Sequence, residues 1–452
     1  MKRLLVVVGW LCVASCSGDG SEEEVAGVDD ALASLRITHG PIVGAVRPDS
    51  ARIWLRTNGS ADVVIEHSAD ETFANSVKTQ PKPTGPGKDF TVKVSLEGIP
   101  QNAMRHYRVY LDGKRQGGVR HFKTAPASDS ASFSFAVLSD FKEEPAPVLQ
   151  AVDELKPDLL VFLGDLDHRN PGEAPTADEA LKNMRQMHRE LLGGATAFGA
   201  DFQRVVVDRP GRQYPFIHVW DDHDFGINNS DITFEYRHQA LSAFDEYFVK
   251  ASREGEDAPR GVWQLQPYGC ADLFVLDLRS ERDPNNAPDL VPPDQHSASF
   301  HEKTLLGPQQ KAWLEQKLLG STKKWKILLS TVPFNPGCKP YDAWGNFLDE
   351  RAELVQFIQS HGIGGVVIVS GDIHSGGGID DGTHSDFPEL SVPHANCGGF
   401  VDTYKDQPGS WSHGLLSGLD GPGFGYLELS PAELRMSVRG KLGGKKKELV
   451  VQ

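Results

Sequence analysis

The sequence predicts an α/β chain with an N-terminal β-sandwich of immunoglobulin or fibronectin type over 36–126, followed by a larger region of alternating strands and helices over 133–452. Three observations carry this. Between Ile37 and Lys123 the apolar residues alternate with polar ones and show almost no helical period. From Phe133 onward, short apolar runs alternate with helical stretches, the pattern of a sheet covered by helices. Four of those runs end in Asp or Asp-His clusters.

In the first region, the runs 51–57 (ARIWLRT), 61–68 (ADVVIEHS), 90–98 (FTVKVSLEG) and 106–114 (HYRVYLDGK) read as half-buried antiparallel strands punctuated by Asn-Gly and Asp-Gly turns. About ninety residues of this kind fit a sandwich. In the second region, helices are expected over 145–158, 177–194, 307–320 and 348–362. The third has Pro308 in its first turn and Gly320 at its end, a proper start and stop. The tail returns to strands at 423–430 and 433–440.

The basic start at Lys2-Arg3, the apolar run Leu4 to Val13 and the small residues after it read as a secretory signal over 1–16, too short to span a bilayer. Val13-Ala14-Ser15-Cys16 resembles a bacterial lipobox, which implies cleavage before Cys16 and lipidation of its thiol. The Gly-, Ser- and Glu-rich segment 17–35 reads as a flexible tether. The chain is thus expected in a bacterial cell envelope or secreted, meeting membrane only through the lipid anchor, and monomeric. A net charge of −16 argues against a nucleic-acid reader. Cys270, Cys338 and Cys397 remain after the leader, so at most one internal disulfide forms, with Cys338 and Cys397 in Gly-rich loops as the pair to consider.

The chemistry sits at the strand ends. The runs FSFAVLSD (ending at Asp140), LLVFLGDLDH (Asp165 to His168), FIHVWDDHD (Asp221 to Asp224) and VVIVSGDIH (Asp372 to His374) each follow a buried-strand pattern. Ligands of open α/β sheets bind beyond the carboxyl ends of the strands. Carboxylates crowded there repel one another unless a cation lies between them, so the economical reading is a di-metal hydrolase. A single Asp at a strand end usually caps the next helix; four in order outweigh that.

Phe162-Leu-Gly-Asp165, Trp220-Asp-Asp-His-Asp224, Asp277-Leu-Arg279, Gly307-Pro-Gln-Gln-Lys-Ala-Trp313 and Ser370-Gly-Asp-Ile-His374 resemble the PhoD-like alkaline phosphatases of the calcineurin-like metallophosphoesterase superfamily. The resemblance covers nearly the whole chain after the leader. It implies a four-layer α/β/β/α catalytic domain and hydrolysis of phosphomonoesters or phosphodiesters by a metal-activated hydroxide. The implied metal ligands are Asp140, Asp165 (bridging), Asp222, Asp372 and His374, with His223 as the proton donor. Arg279 is expected to neutralise the phosphoryl group, and Lys142 and Asn228 to meet the substrate. Two or more ions are implied: a transition metal (iron, zinc or manganese) with calcium at the carboxylate-rich half.

The sequence departs from the family at two ferric ligands. Ser139 stands where a Cys is common and His168 where a Tyr is, so thiolate and phenolate are expected to be missing together, and His168 is expected to ligate instead. Asp221 reads equally as ligand or as a residue behind the ligands, because successive strand side chains alternate. His218 reads as a core histidine, Arg282 as a surface ion pair, and His384, His394, His413 and the Trp344 stretch as rim. A second reading, a cell-surface adhesion protein on a degenerate phosphatase fold, follows from the altered ligand positions.

Overall fold

The computed structural model describes residues 34–209, 211–251, 260–293, 299–398 and 410–452. The expected leader, Cys16 and the tether up to residue 33 lie outside these residues. Among the described residues no helix is long and apolar enough to cross a membrane.

A nine-stranded sheet is built around the strand Leu159–Leu163, every residue of which is buried. It lies parallel between Phe133–Leu138 and Phe216–Val219, with Leu160 opposite Ala136 on one side and Phe216 on the other. Continuous apolar runs such as LLVFL suit this place, because a parallel strand covered on both faces has no polar side to show. The tail strands Gly423–Leu429, Leu434–Gly440 and Lys445–Val451 extend the sheet antiparallel beyond Phe133–Leu138.

A six-stranded sheet carries the fourth cluster. Its strand Val366–Ser370 lies parallel to Trp325–Ser330, which lies parallel to Ala271–Val275. The two sheets meet at small residues. A methyl group on Gly425 would lie 2.6 Å from Val392, and one on Gly371 would lie 3.1 Å from the Leu163 carbonyl and 3.0 Å from that of Thr331.

The strand-like runs of the first region are strands, but they do not all belong to a body of their own. Ile37–Gly44, Ser50–Thr57 and Thr91–Glu97 continue the nine-stranded sheet, joined where Gly44 pairs in parallel with Phe216. Asp62–Ser68, Met104–Leu111 and Lys114–Lys123, with two short edge strands, make a separate sheet. Met104–Leu111 alternates buried and half-buried positions along its whole length, the period-2 signal made physical.

Helices fall where their signals lie. Ala177–Leu192 is capped by Thr176, whose side chain accepts from Glu179 N–H at 3.3 Å. Asp178 and Glu179 fill its first turn and Arg189 its last, matching the helix dipole. It buries Ala180, Met184, Met187, His188, Leu191 and Leu192 on one face. Helices Pro147–Leu155, Gly307–Gly320 and Leu348–Ser360 also stand where the sequence places them.

Candidate metal centre and active site

The four clusters converge through sharp turns off the strand ends. Asp140, Asp165, Asp372 and His374 all adopt left-handed backbone, with φ of 60°, 51°, 51° and 47°. Asp and His tolerate this region better than most residues, and such strain gathers at functional sites. Gly164, in the Gly-Asp pair, has φ 78°, and a Cβ there would lie 2.4 Å from that of Asp221. Only glycine lets the second and third clusters approach this closely.

Asp221 and Asp222 both reach the site because the strand ends at Val219 and a helical turn, Asp222–Phe225, begins after Asp221. The strict alternation expected of a strand does not apply to them. Asp221 Oδ1 accepts from Thr331 Oγ1 at 2.9 Å and Arg279 Nε at 2.5 Å, while its Oδ2 has no hydrogen-bond partner. Asp224 stands behind the turn and accepts from the backbone N–H groups of Asp165, Leu166 and Asp221.

Three overlapping donor groups result among the described residues. One joins Asp140, His168, His374 and Cys397, a second joins Asp165, His168 and His223, and a third joins Asp165, Asp221 and Asp222; within each group the ligand atoms lie within 4.8 Å of one another. The Oδ1 of Asp140, Oδ2 of Asp165 and Nε2 of His168 are buried and make no hydrogen bond. Buried polar atoms are otherwise paired in native folds. These orphaned atoms fit cations, which Asp140, His168, His374 and Cys397 on one side and Asp165, Asp221 and Asp222 on the other would hold, leaving His223 beside them.

The electrostatics point the same way. Burial pushes the Asp165 carboxyl well above the usual range, with Asp222, Asp221 and Asp224 adding to it. Burial, with Asp222, lifts Asp221 to about 7 against the pull of Arg279. Burial likewise lifts Asp224 to about 8 against its backbone hydrogen bonds. Burial opposes a charge on His374, but Asp140 and Asp372 hold its proton up to about 12. Crowded carboxylates that resist ionising together call for positive charge among them.

A cavity of about 270 Å³ opens on the site, lined by Asp165, Asp222, His223, Asn228, Asn229, Lys339, Tyr341, Asp342, Asp372 and His374. Asn228, expected to meet the substrate, is one of its lining residues. The Nδ1–H of His223 donates to Asn170 Oδ1 at 2.9 Å. His168 sits beside it, ring centroids 4.7 Å apart, with Nδ1–H donating to the Phe141 carbonyl at 2.6 Å.

Other expectations need correction. Arg279 does not line the cavity. It is 0 % exposed, and its fork grips Asp342 with two bonds of 3.0 Å. Its expected contact with a phosphoryl group is replaced by a contact with carboxylates. Lys142 is exposed and does not line the cavity; its backbone N–H donates to Asn396 Oδ1 at 2.7 Å. Arg282 is no surface pair: it is buried and bonded to Asp342 Oδ1 at 2.6 Å. The three cysteines outside the leader are free and buried, so Cys338 and Cys397 are not paired. His218 is a core histidine, packed on Phe244 and Phe248.

Sequence reasoning missed Lys339, Asp342 and Cys397. Lys339 Nζ forms an ion pair with Asp372 Oδ2 and donates to the Asp372 carbonyl at 2.9 Å. The expectation that the site lacks a thiol is overturned by Cys397, which brings one in from a loop 23 residues beyond His374.

The chain matches the PhoD-like phosphatase family over residues 135–380, and that family's N-terminal domain over 23–126. It is 24 % identical over 408 residues to alkaline phosphatase D of Bacillus subtilis (strain 168), covering 80 % of this chain and 68 % of that protein. A solved structure described as that of PhoD has the same fold, with a TM-score of 0.71 at 21 % identity over 93 % of this chain and 89 % of the other. A buried nest of carboxylates and imidazoles at the ends of parallel strands, on this fold, defines a phosphoester hydrolase. The chain belongs to the PhoD-like phosphatase family. The adhesion reading is not favoured.

Proposed function

We propose that the chain is a metal-dependent phosphomonoesterase or phosphodiesterase whose cations occupy the donor groups around Asp140 and Asp165. The observation that carries this reading is the set of buried carboxylate and imidazole atoms left without hydrogen bonds beside the cavity. Cations bound there supply charge for the phosphoryl oxygens and lower the pKa of a water that serves as nucleophile. The residues themselves do the rest. Asp165 belongs both to the group with His168 and His223 and to the group with Asp221 and Asp222, and would offer a carboxylate oxygen to either side. Asn170 fixes the His223 ring through Nδ1, and this residue lines the cavity, where its protonated Nε2 would donate to the leaving oxygen. Asn228 and Asn229 line the wall facing the substrate, and Lys339 adds positive charge beside Asp372. Acidic oxygen donors around Asp222 suit calcium, and imidazoles suit iron, zinc or manganese.

Chelation is expected to abolish hydrolysis of chromogenic phosphomonoesters and phosphodiesters, and a divalent transition ion, with calcium, to restore it. Elemental analysis of the active protein is expected to find about two ions or more per chain, as two-metal catalysis requires. Full activity in a metal-stripped sample would remove the proposal. The ratio of the two ester activities assigns the substrate class.

We further propose that a lipid on Cys16 holds the protein at the bacterial cell envelope. The lipobox-like Val13-Ala14-Ser15-Cys16 supports the anchor. Cys16→Ala is expected to release the protein from membranes or leave it unprocessed; fractionation and migration like wild type would exclude lipidation.

A further inference from the structure

We propose that Cys397 is a metal ligand, completing a four-donor site with Asp140, His168 and His374 and supplying from a distant loop the thiolate that Ser139 does not. The inference rests on the metal-dependent reading above and adds to it a soft donor on one side of the centre.

Three independent features carry it. The ligand atoms of the four residues lie within 4.8 Å of one another. Asp140 is 0 % exposed, and its Oδ1 makes no hydrogen bond; it stands 3.5 Å from His374 Nε2, so a buried carboxylate oxygen faces the imidazole without a donor bonded to it. The backbone fixes the thiol beside it. Ala395 N–H donates to the Ser139 carbonyl at 2.9 Å, and the N–H groups of Asn396 and Cys397 both donate to the Asp140 carbonyl, at 3.3 and 3.2 Å. Asn396 then clamps the segment after Asp140, accepting from Lys142 N–H at 2.7 Å and donating to the Glu144 carbonyl at 2.8 Å. The cysteine loop is thus strapped to the first ligand strand at every residue from 395 to 397.

The donor geometry suits a small cation. Cys397 Sγ lies 3.3 Å from His374 Nδ1. Sulfur and nitrogen on one tetrahedral centre, with bonds of about 2.3 and 2.0 Å, stand roughly 3.5 Å apart. The opposite ring nitrogen, Nε2, meets Asp372 Oδ1 at 3.1 Å and Asp140 Oδ1 at 3.5 Å, and ligating histidines commonly keep their second N–H on a carboxylate; on binding, Asp140 Oδ1 would exchange this contact for the ion. Binding converts the thiol to a thiolate and releases its proton to solvent, with no change of oxidation state. A thiolate with two imidazoles selects a transition ion such as zinc or iron, leaving calcium to the all-oxygen side at Asp165, Asp221 and Asp222.

The probe is cobalt(II) titrated into metal-free full-length protein. Wild type is expected to develop sulfur-to-cobalt charge-transfer absorption in the near ultraviolet, saturating at one ion per chain. Cys397→Ser is expected to lose this band and to bind that ion at least tenfold more weakly, while Cys338→Ser, which removes a buried thiol outside the donor group, keeps it. X-ray absorption at the cobalt edge of wild type needs no variant to fold and is expected to show one sulfur neighbour. A purely nitrogen and oxygen shell, or a band that survives in Cys397→Ser, overturns the proposal. If that happens while hydrolysis remains chelator-sensitive, the metal-dependent reading stands and Cys397 only hydrogen-bonds His374. If no ion is retained and hydrolysis ignores chelators, both fall.

Discussion

Asp165→Asn is expected to lose hydrolysis by more than the roughly 10–100-fold that removal of a residue behind a metal ligand costs, and to lose at least one bound ion, while the protein still folds. Asp165 follows a strand buried at every residue, and its Oδ2 is without a hydrogen-bond partner. Asn keeps the shape, including an oxygen able to accept from His223 N–H as Oδ1 does at 3.2 Å. What it removes is the negative charge shared by the donor group of His168 and His223 and that of Asp221 and Asp222. The sign of the stability effect follows from the shift. The Asp165 carboxyl is raised by burial and by Asp222, Asp221 and Asp224, so the folded, metal-free protein holds this proton more tightly than the unfolded chain. This group's contribution therefore favours folding at low pH and is lost as pH rises from the unfolded carboxylate value toward the raised one. The metal-free variant should be at least as stable as metal-free wild type at neutral pH, with a flatter pH dependence. Wild type should gain much more in melting temperature from added metal, since ligand that binds only the folded state stabilises it in proportion to its affinity. Near wild-type activity with full metal content would remove Asp165 from the centre.

Much of the centre was legible because burial and chemistry leave marks on short windows. A run such as Leu159 to Leu163, apolar at every position, can only be a covered strand or a buried helix, and Gly-Asp at its end chooses the strand. The four ligand turns are therefore visible one by one. What joins them is not. The pairing of Gly44 with Phe216 spans most of the N-terminal half, and nothing local to either residue records it. Hence a sequence that reads as two bodies proves to share one sheet. Charged residues misled for a related reason. Arg282 in isolation looks like a surface side chain, because buried arginines are rare unless paired, and its partner Asp342 comes from a loop 60 residues away. Cys397 was hidden twice over: its loop has no periodic pattern, and the family habit directs attention to position 139.

Arg279→Met is expected to destabilise the protein by about 3–5 kcal/mol, the cost of stripping one partner from a buried ion pair. Arg279 holds Asp221 through Nε and Asp342 through both terminal nitrogens, and Arg282 adds a second cation to Asp342. In its absence Asp221 keeps only Thr331 as a side-chain donor and must protonate or leave the site. Since Asp221 shares a donor group with Asp165 and Asp222, metal affinity should fall with stability. Arg279→Lys keeps the charge but loses the planar fork, so it should recover part of the stability and little of the two-sided grip. This separates the present placement from direct substrate contact. An arginine touching the phosphoryl group would, when replaced, raise KM and leave the melting temperature of the metal-loaded protein alone. An arginine that orients Asp221 from behind should lower melting temperature and metal affinity together, and KM measured at saturating metal should change little. Thermal melts with and without metal, set beside KM for both variants, decide between the two.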